Sequence, residues 1–264
     1  MNANLPIKKN KNKSLLIEIL VLIILILIYG WSYLSIDINW NRVFSEWTIN
    51  NFKNVIPRFF EPDTTIIPDI KTKLLETLYI AFAGSLTAAV LAIPFGFISA
   101  VNITNSTAAV LGKWLLAAIR AFPNVILAIL FVAAVGPTPL AGALAISIHS
   151  IGMLGKLYAE IIESIDMKVL ESLEASGANK VQIFFYGIMP QVLPEFISFA
   201  IYRFEINVRA SSILGLVGAG GIGTMIYFAK MNRNWEEVGM ILISIIILVT
   251  IIDYTSAYIR KKLV

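Results

Sequence analysis

The residues best able to do chemistry gather in the run YRFEINVR, residues 202–209. There Arg203, Glu205, Asn207 and Arg209 interrupt a stretch otherwise apolar enough to cross a membrane. Residues four apart on a helix share a face, which sets Arg203 with Asn207 and Glu205 with Arg209. Charges at membrane depth turn towards each other or towards a cavity. Two uses fit: an ion-pair ladder that holds helices together, or a polar wall along which an anionic solute passes. A guanidinium matches phosphate-type oxygens with two parallel hydrogen bonds. A transport site must also release what it admits, so a neutralising Glu205 beside Arg209 is chemically sensible. We expect Arg203 to belong to a solute route and Arg209 chiefly to pair with Glu205. His149, the single histidine, is either a neutral packing residue or a lining residue that donates to an anion when protonated, with Ser147 and Ser150 nearby. A zinc site needs three or four ligands, and one histidine with no cysteine does not supply them, so no metal site is expected.

A second stretch, residues 169–194, is a polar island between apolar segments. Glu171, Glu174, Asn179, Lys180 and Gln182 make one side wettable. Leu170, Leu173, Val181, Phe184 and Phe185 supply an apolar side, the pattern of a helix that lies against something. Gly177 is expected to break this helix and Pro190 to close it. Residues 218–223, GAGGIG, match G-x-G-x-x-G in form. That pattern signifies a dinucleotide site only between a strand and a helix. A charged membrane helix precedes it here and a loop is expected after it, so the glycines read as a turn passing close to neighbouring helices. The chain contains no G-x-x-x-x-G-K-[ST], so any ATP is bound by another subunit.

The elements that position these residues belong to a membrane chain. Its 264 residues are 58% hydrophobic and 14% charged, where soluble chains carry about 25% charged residues. Residues 77–112 and 121–155 hold no Asp, Glu, Lys or Arg, and about 20 apolar residues suffice to span. The fold class expected is all-α, a polytopic membrane protein with six transmembrane helices near residues 15–34, 74–101, 113–135, 140–157, 191–214 and 235–258. Pro94 with Gly96 is expected to kink the second. Residues 36–73 read as short amphipathic helices at the outer surface, interrupted by Pro57, Pro62 and Pro68, and residues 215–234 as an outer loop. Arg120 sits shallow enough in the third span to snorkel towards headgroups. Lys8, Lys9, Lys11 and Lys13 precede the first span, and Arg260, Lys261 and Lys262 follow the last. Positive charge favours the inside, so both termini are expected in the cytoplasm. The net charge of +4 therefore speaks for a membrane and not for nucleic acid. Residues 1–73 are expected to hold the N-terminus, the first span and the outer insertion. Residues 74–264 are expected as one membrane domain, with a cytoplasmic segment at 165–190.

The spacing of Glu171, Gly177 and Pro190 resembles the cytoplasmic coupling loop of bacterial ABC-importer permeases. Around it stand HSIGMLGKLYAE (residues 149–160), YGIMPQVLPEFISFAIYRFEINVR (186–209) and GLVGAGGIG (215–223). Together these runs resemble the permease subunit of the phosphonate importer family, over about residues 74–263. The resemblance implies a five-helix ABC-importer type I permease core in the cell membrane, without catalysis or cofactor of its own. It implies as partners two ATP-binding subunits, an extracytoplasmic solute-binding protein, a second copy of the chain and membrane lipid. Its solutes would be phosphonates, phosphite, hypophosphite or phosphate esters. Glu171, Glu174, Gly177 and Pro190 would couple to the ATPase, leaving His149, Arg203, Glu205, Asn207 and Arg209 as candidates for the translocation path. The family's EAA triplet stands here as Glu171-Ser172-Leu173, and Gly187 and Met189 occupy positions that are usually larger or more apolar. The competing reading is an ion-gradient-driven transporter or a membrane enzyme, with Glu205 or Asp253 relaying protons.

Overall fold

The computed structural model describes residues 11–263; Lys8 and Lys9 of the N-terminal basic cluster lie outside them. Contacts divide the chain into residues 1–54 and residues 55–264. In the first unit, α1 (Lys11–Ser35) is apolar on all sides and exposes every side chain from Leu20 to Tyr29, as a lipid-facing helix does. Tyr29 and Tyr33 stack with ring centroids 6.4 Å apart, and Tyr33 meets Trp40 at 6.3 Å, an aromatic cluster of interfacial type. α2 (Trp40–Val43) starts at Asn39, whose side chain accepts from the Arg42 N–H.

The amphipathic α3 (Glu46–Phe59) contains Pro57 within its last turn. The expected interruption there does not occur, because one bond lost at the end of an exposed helix leaves a carbonyl that water can satisfy. Asp63 then caps a short 3-10 turn, and hydrogen bonding from Thr65 holds its carboxyl below the usual range. α4 (Ile67–Ser99) begins seven residues before the expected start at 74, with Pro68 in its first turn where a missing N–H costs nothing. It continues through Pro94 without a break.

The third span differs most from expectation. It is two helices, α5 (Ser106–Ala121) and α6 (Asn124–Val135), bent by 79°. Pro123 forces its predecessor out of the helical region, and Phe122 stands at φ −84°, ψ 121°. α7 (Pro139–Glu163) follows the turn at Gly136, and α8 (Met167–Ala175) starts on an Asp166 cap. α9 (Lys180–Gln182) runs through six π-helical residues into α10 (Met189–Leu214). Pro190 does not close the preceding helix: the helical run passes through it, its missing donor falling just where the wider π-helical turns give way to α10. The expected outer loop 215–234 contains a helix of its own, α11 (Ile222–Met231), before α12 (Trp235–Leu263). Among the described residues five helices are long and apolar enough to span, and counting the bent pair as one span gives six.

In the second unit α7 is central, packed against α4, α5, α6 and α10. Small residues allow the approach. A Cβ on Gly84 would stand 2.6 Å from Ile146 Cγ2, and one on Gly142 would stand 2.6 Å from the Ala219 carbonyl. The glycine-rich turn follows a helix, and no strand occurs among the described residues. Gly218, Gly220 and Gly221 adopt positive φ. Gly221 donates its N–H to Glu76 (3.0 Å) and Ile222 donates to Thr77 Oγ1 (2.8 Å), which pins the turn and the start of α11 to α4.

Overpacking a tight site usually costs about 1–3 kcal/mol. Gly142→Val is expected to lower the melting temperature of the solubilised permease by several degrees. Gly30→Val, with nothing within 4 Å, is expected to leave it unchanged. Equal melting temperatures for both variants would contradict the close α7 contact.

Candidate functional site

α10 carries its polar residues on two faces, as the four-residue spacing requires. On the first, Arg203 is buried, with 4% of its surface exposed. Its Nε donates to Ser150 Oγ at 2.9 Å and its Nη1 to Met153 Sδ at 3.0 Å. Nη2 is buried with no hydrogen-bond partner. Asn207 donates through Nδ2 to Ser85 Oγ (2.8 Å) and Ser150 Oγ (3.0 Å). A chain of Arg203, Ser150, Asn207 and Ser85 thus ties α10 to α7 and α4. No carboxylate pairs with Arg203 among the described residues.

On the other face Glu205, also buried, receives two guanidiniums: Arg209 Nη2 at 3.2 Å and Arg260 Nη2 at 3.0 Å. Arg209 also reaches Asp253 Oδ2 at 2.6 Å, and Arg260 lies over the Tyr202 ring. The Arg209–Glu205 contact is present, but the shorter partner of Arg209 is Asp253. Arg260, read from sequence as part of the terminal basic cluster, turns back to Glu205. These four side chains sum to neutrality and join α10 to α12. Arg203 has no such compensation.

His149 is half-buried one turn from Met153, and its Nδ1 lies 3.0 Å from the Phe122 carbonyl. A carbonyl only accepts, so Nδ1 carries the proton and Nε2 remains available. His149 therefore braces the bend between α5 and α6, and it lies within electrostatic reach of Arg203 and Arg120. A cavity of about 380 Å³ between α4 and α10 is lined by Phe82, Leu86, Val90, Phe196 and Phe204 among others. Its walls are almost wholly apolar, with Ser85 and Tyr158 the lining residues that carry a hydroxyl, and they offer an anion no charge.

Glu171 and Glu174 are exposed on α8, while Leu170 is buried. Gly177, at φ +83°, ends the helix in a Schellman motif: Ala178 N–H donates to the Leu173 carbonyl and Gly177 N–H to that of Glu174. Gly187 leaves room for this helix, since a Cβ there would stand 3.0 Å from Leu173 Cδ1. The glycine that departs from the resemblance thus seats α8. Gln191 accepts from the Asp166 N–H at 2.9 Å and holds the segment from below.

Residues 92–263 match the family described as binding-protein-dependent transport system inner membrane component. The chain belongs to this family. It is 42% identical over 190 residues to the phosphite transport system permease protein PtxC of Stutzerimonas stutzeri, covering 71% of this chain and 69% of that one. It is 34% identical over 219 residues to the phosphate-import permease protein PhnE of Mycolicibacterium smegmatis, covering 82% of this chain and 40% of that protein. It is 40% identical over 121 residues to the putative cryptic phosphonate transport permease PhnE2 of Escherichia coli, covering 46% and 99%. The inward-facing MetNI methionine ABC transporter shares the fold, with a TM-score of 0.66 at 21% identity over 76% of this chain and 99% of that one. The binding-protein-dependent permeases are membrane-spanning transport subunits and not catalysts. They work with ATP-binding subunits and a solute-binding protein.

Breaking a buried ion pair costs up to about 3–5 kcal/mol, and less where one partner is half-exposed as Arg209 is. Arg209→Leu is expected to reduce the monodisperse fraction of solubilised permease in size-exclusion chromatography. R209L/D253N is expected to recover more of it than R209L/E205Q, because Glu205 keeps Arg260 and Asp253 loses its partner. The reverse order would contradict this ion-pair arrangement.

Proposed function

We propose that this chain is the membrane-spanning half of an ATP-driven importer for a phosphorus oxyanion, of the phosphonate or phosphite class. The single observation that carries the proposal is the buried Arg203 guanidinium with a free Nη2 and no carboxylate. Such a group invites an anion, and phosphate-type oxygens fit its planar fork. The names of the phosphite, phosphate and phosphonate permeases among the relatives support the same solute class. Asn207 and Ser150 beside Arg203 are neutral and spend their donors on one another and on Ser85, and His149 Nε2 becomes a donor only when the ring is protonated, which favours passage over retention. Glu205 and Arg209 belong to the neutral lattice with α12.

Two copies of the chain would assemble in the cell membrane with two ATP-binding subunits, both termini cytoplasmic. Residues 74–264 would form the permease body. The ATPase would take up α8, with exposed Glu171 and Glu174, the Gly177 turn and the α10 start at Pro190. A loaded solute-binding protein would dock outside on residues 36–73, 136–139 and 215–234. A proton relay through Glu205 or Asp253, as an ion-gradient transporter would need, is disfavoured because both carboxylates face arginines.

The test is phosphite and methylphosphonate uptake in proteoliposomes containing the whole complex and its binding protein, normalised to assembled complex. Arg203→Leu is expected to lower uptake at least tenfold. Arg203→Lys, which keeps the charge without the fork, is expected to show a partial defect. Normal uptake by both variants would overturn the assignment of Arg203.

A further inference from the structure

A second set of cations lies along the same side of α7, towards α8. His149, Met153, Lys156 and Glu160 follow one another at helical spacing and pass from half-buried to exposed. Met153 is the residue that meets Arg203. At the other end of this stripe a cleft of about 270 Å³ opens between α5 and α7. Lys113, Arg120, Lys156, Glu160 and Glu163 line it, over a floor that includes Leu116. It is smaller than the pockets of about 300–1,000 Å³ that hold drug-sized molecules, and so suits a small group.

The three cations are not equivalent. Lys113 is taken by Glu163 at 2.8 Å, and the same Glu163 oxygen accepts the Val101 N–H at 3.0 Å. That pair latches the loop after α4 to the end of α7. Lys156 and Glu160 stand 3.3 Å apart with both side chains about half exposed, a contact worth little. Arg120 has neither an ion pair nor a hydrogen bond among the described residues.

Packing holds Arg120 where pairing does not. Its stem crosses α7 at Gly152, where a Cβ would stand 2.9 Å from Arg120 Cγ. α5 ends at the next residue, and the bend that follows is braced by His149. The guanidinium is thus carried to the cleft by a fixed stem, with its donors unspent.

We propose that this cleft binds a phosphorus-oxyanion group, with Arg120 supplying parallel N–H donors and Lys156 the second charge. The proposal rests on the import reading above, since a cationic cleft on the α8 side of Arg203 is a release site on the same route. Glu160 and Glu163 keep the attraction weak enough for departure. The same chemistry would hold the phosphate of an anionic lipid headgroup at the cytoplasmic leaflet, where basic pockets between helices attract such lipids.

The experiment uses the full complex, with Arg120→Gln, Arg120→Lys and Lys156→Gln, each normalised to assembled protein. Phosphite uptake is measured in liposomes free of anionic lipid, and retained phosphatidylglycerol is counted by native mass spectrometry. A solute site predicts that R120Q loses uptake at least fivefold without that lipid, with R120K and K156Q intermediate. A headgroup site predicts that R120Q keeps this uptake and retains one phosphatidylglycerol fewer per chain. If neither quantity changes in R120Q and K156Q while the wild-type complex imports phosphite, the cleft proposal is overturned and the import reading stands. If the wild-type complex imports neither phosphite nor methylphosphonate but R120Q still loses the lipid, the import reading fails and the cleft survives as a headgroup site.

Discussion

Arg203 cannot shed its proton in a protein, so it brings a permanent charge into the body of the helix bundle. An isolated ion there is costly unless hydrogen bonds or an opposite charge replace its water. The fold meets only part of that demand. Ser150 and Met153 take two of its donors, and Asn207 in turn links Ser150 to Ser85. Those short side chains reach one another because Gly84 and the small residues of α4 and α7 let the backbones come close. The tight packing of α7 and the lodging of Arg203 are therefore one requirement: looser helices would leave more of the guanidinium unmet.

The two faces of α10 divide the work. Towards α12 the charges alternate and cancel, which fixes that helix without leaving a field. Towards α7 a single cation stays uncompensated. Force from a partner ATPase has a direct path to it on the proposed reading. α8 is seated by Leu173 at Gly187, and the π-helical stretch leads without interruption into the helix that carries Arg203. A π stretch is a common place for a helix to yield, and here it lies between the exposed segment and the buried charge.

Much of this was legible in the chain. The charge-free runs gave the spans, and four-residue spacing separated Arg203 and Asn207 from Glu205 and Arg209. What was not legible is mostly tertiary. Arg260 lies 55 residues from Glu205, and only the antiparallel course of α10 and α12 brings them together. Ser85 and Met153 carry no charge and sit in runs whose composition suits plain packing. The break in the third span was written in Phe122-Pro123, yet hydropathy counts apolar residues and is blind to direction. Pro57 and Pro190 differ from expectation for another reason: Pro57 stands in the last turn of α3, and the helix runs on through Pro190 as α4 does through Pro94, so a proline alone does not mark where a helix ends. α11 was hidden behind its glycines and the polar residues that follow it.

The central claim is that the free donor on Arg203 is kept for an anion. Electron cryomicroscopy of the assembled transporter, held by a hydrolysis-deficient ATPase and saturated with methylphosphonate, tests it most directly. The account predicts density for the anion within hydrogen-bonding distance, about 3 Å, of Arg203 Nη2. A carboxylate from a partner subunit in that position, with the solute elsewhere, would contradict it.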